Sequence, residues 1–225
     1  MKQKQTGFTL IEIAIVLVII GLLLGGILKG QELITSARVR NMISQQDGVK
    51  AAYFGFQDRY RSLPGDYPVA LASQNIPNET VGCAGANCQD GRINDGGGST
   101  ESIIAWSHLS KAGFINGNYN GAGATPAATN SPTNPYGSFV QLIFDNIYDP
   151  TAPAQPQAVN FKTGTGVPAS ILAEIDRKID DGAPNTGIFR SSQFNTPAAG
   201  CTNAGPPVRW DASADVKDCG GAAIF

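Results

Sequence analysis

The sequence predicts an α+β protein in which a long N-terminal α-helix precedes a head built on an antiparallel β-sheet. Two observations lead to this prediction. An apolar run at positions 8–28 is followed by helical periodicity with no proline before Pro64, and short strand-like segments separated by turns follow later. Glycine and proline number 27 and 14 among 225 residues, so turns are expected to be frequent in the head.

The apolar run extends from Phe8 to Leu28 and contains one charged residue, Glu12. As a helix it would be about 31 Å long, close to the hydrocarbon thickness of a bilayer. Lys2 and Lys4 precede it, so the positive-inside rule keeps that end cytoplasmic and exports the residues that follow. The alternatives are a cleaved secretory signal, whose apolar stretch is shorter, and a plain membrane anchor, which leaves the acidic residue unexplained.

The helix is predicted to continue to about Arg61, because proline is absent up to that point. Its length would then be about 80 Å at 1.5 Å per residue. Residues 29–62 form an amphipathic continuation, which we expect to pack on a head comprising residues 63–225. The apolar positions at helical spacing in this half are Leu33, Ile34, Ala37, Met42, Ile43, Val49, Ala52, Tyr53, Phe56 and Tyr60.

Within the head, two further helices are predicted from cap residues and apolar spacing, at residues 100–112 and 168–180. The first is expected to begin at Ser99 or Thr100. Residues 121–135, rich in Ala, Thr, Asn and Pro, predict a long surface loop. Strands are predicted at residues 138–144, 158–162, 186–191, 207–210 and 222–225.

The residues around the start of the apolar run resemble the N-terminal signature of type IV prepilins and type II secretion pseudopilins. The matching features are a short basic leader ending in Gly7, then Phe8, then the Thr-Leu-Ile-Glu run that ends at Glu12, and the apolar helix. This resemblance implies that a prepilin peptidase removes residues 1–7 by cutting between Gly7 and Phe8. It also implies that Phe8 is then N-methylated and that residues 8–28 serve as transmembrane helix and filament core.

Glu12 is the predicted assembly residue, together with the amino group that cleavage exposes on Phe8. In an apolar filament core, Glu12 of one subunit can pair with the Phe8 amine of a neighbour, since either charge alone would lie in a low dielectric. The alternative is that Glu12 only caps the helix N-terminus.

Four glycines within the predicted helix, Gly21, Gly25, Gly26 and Gly30, also have two interpretations. Small residues allow neighbouring membrane helices to approach closely. The resemblance implies instead a segment that unwinds on assembly.

Four cysteines, Cys83, Cys88, Cys201 and Cys219, follow the predicted membrane span. An even number in an oxidising compartment favours disulfides, but three pairings are possible and the sequence does not choose among them. A Cys201–Cys219 bond would resemble the C-terminal disulfide loop of pilins. A four-cysteine zinc site is the rival interpretation, although neither sequence-near pair has the two-residue spacing of such sites.

Two acidic clusters are candidate calcium sites, and no other cofactor is expected. Asp90, Asn94 and Asp95 lie in a glycine-rich turn that lacks the closing glutamate of an EF-hand. Asp180 and Asp181 follow the second predicted head helix, where negative charge opposes the helix dipole. Turn chemistry alone also explains both clusters.

A net charge of −2 argues against a nucleic-acid-binding protein, and a single histidine without an obvious polar partner argues against an enzyme. The expected function is a structural subunit of a type IV pilus-like filament. The alternatives are a type II secretion pseudopilin, a minor or adhesin-like pilin and, from a different class, a membrane-anchored periplasmic binding module. Expected partners are identical or homologous pilin subunits, the prepilin peptidase, an inner-membrane assembly platform and the lipid bilayer. The expected location is the inner membrane before assembly, and then a surface pilus or a periplasmic pseudopilus.

Overall fold

The computed structural model describes residues 9–148, 156–194, 197–203, 205–213 and 216–225. The chain divides into two compact units, one ending at Arg40 and one running from Asn41 to Phe225. Helix α1 (Leu10–Tyr60) contributes residues to both. Its extent agrees with the helix predicted from the apolar run and the absence of proline.

The part of α1 that belongs to the first unit is apolar and exposed. Leu10 is 93 % exposed and Leu22 72 %, and the other large apolar side chains up to Leu28 are exposed as well. By length and composition, α1 is able to cross a membrane. This segment therefore has the surface of a helix that is surrounded by lipid or by other helices.

The part of α1 that belongs to the second unit contributes to a buried core. Met42, Val49, Ala52 and Phe56 are buried, and their spacing of seven, three and four residues places them on one helix face. The Phe56 ring stacks on the imidazole of His108, with centroids 5.8 Å apart and an interplanar angle of 3°. These apolar positions are among those expected from the helical periodicity.

The elements that follow α1 alternate short helices with short strands. In chain order they are α2 (Val69–Asn75), β1 (Asp95–Gly96), β2 (Ser99–Thr100), α3 (Glu101–Lys111), β3 (Gln141–Asp145), β4 (Ala158–Lys162), α4 (Ala169–Ile179), β5 (Phe189–Ser191), β6 (Thr202–Asn203), β7 (Arg209–Trp210) and β8 (Gly221–Ile224).

The main sheet is four-stranded and antiparallel, with strand order β3-β4-β8-β5. Leu142 pairs with Phe161, which pairs with Ala223, which in turn pairs with Phe189. All four side chains are at most 1 % exposed, so this row is the centre of the sheet's contribution to the core. Helix α3 packs against β3, and α4 packs against β5 and β7.

The predicted α+β layout is confirmed, and helices α3 and α4 lie within the ranges predicted for them. The predicted strands at 138–144, 158–162, 186–191, 207–210 and 222–225 correspond to β3, β4, β5, β7 and β8. Residues 121–135, all of which the structure describes, contain no helix and no strand, as predicted. Thr133 forms one isolated β-bridge with Phe139. Helix α2 and strands β1, β2 and β6 were not predicted.

Candidate functional site

Thr9 and Glu12 cap the N-terminus of α1 reciprocally. The amide and the hydroxyl of Thr9 donate to Glu12 Oε2 at 2.7 and 2.8 Å, and the amide of Glu12 donates to Thr9 Oγ1 at 3.3 Å. This is a capping box, in which a Thr and a Glu three residues later satisfy two backbone donors that the helix leaves unpaired. The capping role considered for Glu12 is therefore present in the structure.

Glu12 is also the only charged residue between Leu10 and Leu28. Charge resumes at Lys29, whose ammonium lies 2.6 Å from the carboxylate of Glu32 in an exposed pair. The apolar segment is thus bounded by an acidic residue near its start and an ion pair beyond its end. Gly7 and Phe8, the predicted cleavage and methylation positions, lie outside the described residues.

The four glycines in and just after the apolar segment leave the helix unbroken. Gly21, Gly25, Gly26 and Gly30 all lie within α1, and a Cβ built on any of them meets nothing within 4 Å. They therefore form positions where another backbone could approach without displacing a side chain.

The four predicted cysteines form two disulfides in the head. Cys83 is bonded to Cys88 and Cys201 to Cys219, with Cα–Cα distances of 5.1 and 5.6 Å. Of the three pairings left open by the sequence, the structure has the one that joins sequence neighbours. Because all four sulfur atoms are oxidised, they do not form the rival four-thiolate zinc site.

The first predicted calcium cluster is only partly brought together. Asp90 Oδ1 accepts the amide of Arg92 and Oδ2 accepts the Asn94 side-chain amide, both at 2.9 Å. Asp95 is directed elsewhere: its carboxylate accepts the amide and hydroxyl of Ser102 at 3.0 and 2.7 Å. Thr100 is the N-cap residue of α3, as predicted, but its side chain makes no capping hydrogen bond, and the Asp95 carboxylate accepts from the first turn of the helix instead. Calcium binding by Asp90, Asn94 and Asp95 stays a prediction.

The second predicted cluster gains a third carboxylate. Asp180 and Asp181 lie beside Asp176, and ligand atoms of the three lie within 4.8 Å of one another. Protein donors already occupy these oxygens: Asp180 Oδ2 accepts the amide of Phe189 at 3.0 Å, and Asp181 Oδ2 accepts the Thr186 hydroxyl at 2.5 Å. Calcium binding at Asp180 and Asp181 also stays a prediction.

His108 is buried and held on both ring nitrogens. Nδ1 accepts the amide of Gly65 at 3.0 Å, and Nε2 lies 3.1 Å from the carbonyl oxygen of Val81. Because the Gly65 amide must donate, the proton of a neutral ring lies on Nε2, which donates to Val81. Burial lowers the pKa of the imidazole below its usual value. The neutral ring is therefore packed in the head, where its hydrogen bonds join α3 to the segments that contain Gly65 and Val81.

Two participants in these sites were missed by reasoning from the sequence. Thr9 precedes Glu12 by three residues, and the Thr-x-x-Glu spacing is itself a capping-box signal. Asp176 precedes Asp180 by four residues on a predicted helix, so the two could have been placed on one face. The contact of Asp176 with Trp210 had no such signal, because 34 residues separate them.

Residues 2–28 match the family profile described as the prokaryotic N-terminal methylation motif, which is the signature of type IV pilins and pseudopilins. The motif belongs to structural, pilin-type proteins rather than to enzymes. No curated protein and no solved structure matches the chain. The motif therefore indicates a pilin-like or pseudopilin protein, and the head provides no further likeness.

Proposed function

We propose that this chain is a structural subunit of a type IV pilus-like filament. A prepilin peptidase removes residues 1–7, Phe8 becomes the N-methylated terminus, and the apolar part of α1 holds the subunit in the inner membrane until assembly. The observation that carries this proposal is the methylation motif at residues 2–28, on a helix whose apolar side chains are exposed. Such a helix needs a partner on its surface, either lipid or the helices of other subunits.

The geometry of its cap supports the assembly role of Glu12. Both hydrogen bonds from Thr9 end on Oε2, and no described residue donates to Oε1. Capping therefore leaves one carboxylate oxygen available to the Phe8 amine of a neighbouring subunit. In an apolar filament core this pair would fix the position of one subunit along the next, because either charge left alone would be costly. Capping and assembly are then compatible tasks of one side chain.

The partners and the location follow from this role. Identical or homologous subunits surround the apolar helix in the filament, and an inner-membrane platform adds them one at a time. The head, with its two disulfides, is exported and coats the filament surface. The chain length and the C-terminal disulfide favour a surface pilus over a periplasmic pseudopilus, and a minor or adhesin-like subunit stays an alternative.

The test separates the charge of Glu12 from its capping function. Glu12→Gln removes the charge but keeps a side chain that can complete the capping box. Thr9→Ala keeps the charge and removes the hydroxyl that caps. We expect Glu12→Gln cells to process and retain the protein in the membrane but to form no filaments, and Thr9→Ala cells to form them. Electron microscopy of sheared material and immunoblotting of membranes provide the readouts.

Mass spectrometry of the native protein completes the test. We expect a chain that begins at Phe8 and is heavier by one methyl group. Filaments containing Glu12→Gln at the native level would contradict the assembly role. A native chain that stays in the membrane and never enters a filament would instead favour a membrane-anchored binding module. Filaments confined to the periplasm would instead identify a pseudopilus.

A further inference from the structure

A groove on the second unit lies between α1 and the loop that follows α3. It is lined on one side by Asn41, Gln45 and Gly48, which face the same way along α1, and on the other by the segment from Gly113 to Tyr119. Its volume is about 620 Å³, which falls within the range of roughly 300–1,000 Å³ found for small-molecule sites. The groove is independent of the apolar segment of α1.

Polar side chains along this groove have unused hydrogen-bonding capacity. Within the described residues, the side chains of Asn41, Asn116 and Tyr119 make no hydrogen bond. Gln45 uses its Nε2 to donate to the carbonyl oxygen of Thr133 at 2.9 Å, which leaves Oε1 as an acceptor. Amide and phenol groups both donate and accept, so this set can pair with hydroxyl groups of either polarity.

Trp106 also lines the groove. It is only 1 % exposed, so no more than a small edge of it is open to the groove. In the part of the chain that the structure describes, the buried side-chain atoms without a partner are Tyr60 Oη and Asn160 Oδ1. The indole nitrogen of Trp106 is not one of these enclosed atoms, and it too has no hydrogen-bond partner among the described residues. With no acceptor among the described residues, this N–H is the hydrogen-bonding group that Trp106 has left for a ligand.

None of the described residues lining the groove is charged. An ionic ligand would leave its own charge without a counter-charge there. The lining combines the aromatic residues Trp106, Phe114 and Tyr119 with apolar side chains and amides, a composition that suits a ring with apolar C–H faces and hydroxyl edges. We propose that this groove binds a neutral saccharide, with Asn41, Asn116 and the Trp106 indole as hydrogen-bonding groups.

Gly48 provides a way to fill the groove without disturbing the fold. It lies on α1, and a Cβ built on it meets nothing within 4 Å. Leucine is a better helix former than glycine, so Gly48→Leu should fold while its side chain occupies the ligand volume. Gly48→Ala is the matched control, because it changes the same backbone position but adds only a methyl group.

The two tryptophans of the chain make the binding test internally controlled. The full chain, in zwitterionic micelles without sugar headgroups, is titrated separately with maltotriose, cellotriose and chitotriose. At about 10 mM, ten times a millimolar dissociation constant, binding is close to saturation. At least one saccharide should shift the Trp106 indole signal in a nitrogen–proton NMR spectrum. The Trp210 indole donates to Asp176 and should not shift.

The variants decide whether the shift comes from the groove. Gly48→Leu should weaken binding by about tenfold or more, Asn116→Ala by several-fold, and Gly48→Ala by less than twofold. An unchanged Trp210 signal in each variant shows that the head is folded. The proposal is overturned if no saccharide shifts Trp106, if Gly48→Leu binds as the native chain does, or if the signal shifts with protein concentration alone. The last result would indicate that a second copy occupies the groove.

Discussion

The indole N–H of Trp210 donates to Asp176 Oδ2 at 2.6 Å, and the amide of Gly182 donates to Oδ1 at 3.1 Å. Asp176 is completely buried, and its neighbours include Asp180 and Asp181. Burial raises the pKa of its carboxyl to about 6; the two hydrogen bonds oppose this rise, and the neighbouring carboxylates add to it. Near neutral pH, the charged carboxylate therefore lowers the stability of the head.

Asp176 should make the head less stable as the pH rises. Its folded-state pKa of about 6 lies above the ordinary value of 3.8, so its stabilising contribution is complete below pH 3.8 and is lost as the pH passes through about 6. Asp176→Asn stays uncharged and avoids this loss. The free energy of unfolding of Asp176→Asn, relative to that of the native chain, should be about 1–2 kcal/mol higher at about pH 7.5 than at about pH 5. Urea unfolding at both pH values measures this, and a difference independent of pH would contradict it.

Trp210→Phe should raise the pKa of Asp176 further. The substitution removes the indole N–H, which stabilises the charged carboxylate, and keeps an aromatic ring against Phe189. The carboxyl carbon signal of Asp176 should then titrate at a higher pH in the variant than in the native chain. An unchanged or lower midpoint would show that the hydrogen bond does not hold the charge.

Local sequence signals predicted those parts of the fold that depend on local interactions. The extent of α1 follows from apolar residues and the absence of proline, and α3 and α4 follow from helical spacing with glycines after their ends. Helix α2 has seven residues, and β1, β2 and β6 have two each. Elements this short carry too little periodicity to be recognised, and their formation depends on tertiary contacts.

Among the candidate sites, too, features set by the local sequence were predicted and features set by tertiary contacts were not. Glu12 was identified because a charge in an apolar run is conspicuous, whereas the cap of α3 by Asp95 depends on how a hairpin turns back. The pairing of Cys83 with Cys88 and of Cys201 with Cys219 depends on the fold, since cysteine spacing alone leaves three choices.

His108 should make the head less stable in acid. Burial lowers the pKa of its imidazole, so its contribution is complete above the ordinary value of 6.5 and is lost as the pH falls. His108→Gln keeps one acceptor for Gly65 and one donor for Val81 but does not titrate. The native chain should lose more stability than this variant when the pH falls from about 7 to 5. Equal losses in urea unfolding would contradict the prediction. The single imidazole should also show the Nε2–H tautomer by nitrogen NMR.

The two disulfides should differ in their contribution to stability. Cys201 and Cys219 are 18 positions apart in sequence, whereas Cys83 and Cys88 are five apart. Chain entropy predicts a loss of about 3 kcal/mol when the first pair is replaced by serine and about 2 kcal/mol for the second, because the longer loop restricts the unfolded chain more. Urea unfolding of the two double variants measures the difference. A larger loss for the Cys83–Cys88 pair would show that native contacts outweigh loop length.

The ion pair between Glu79 and Lys111 is buried, so a double-mutant cycle should resolve its contribution. Lys111 Nζ lies 2.9 Å from Glu79 Oε1, and the side chains are 16 % and 0 % exposed. The Ser107 hydroxyl donates to Oε2 at 2.7 Å. Burial alone would raise the pKa of the Glu79 carboxyl, but hydrogen bonds from Lys111, Ser107 and two backbone amides hold it below its usual value. The carboxylate is therefore charged at neutral pH, and Lys111 provides its only counter-charge at salt-bridge distance within the described residues.

Lys111→Met should cost about 1.5–3 kcal/mol, because the buried carboxylate loses a charged donor. The same substitution at Lys178, whose exposed pair with Glu174 spans one helical turn, should cost at most about 0.5 kcal/mol. In the double variant of Lys111→Met with Glu79→Gln, the loss should be smaller than the sum of the single losses by about 1–2 kcal/mol. Additive losses would mean that the pair contributes through packing alone. A coupling energy that disappears at high salt would mean that dissolved ions reach and screen the ion pair, contrary to its burial.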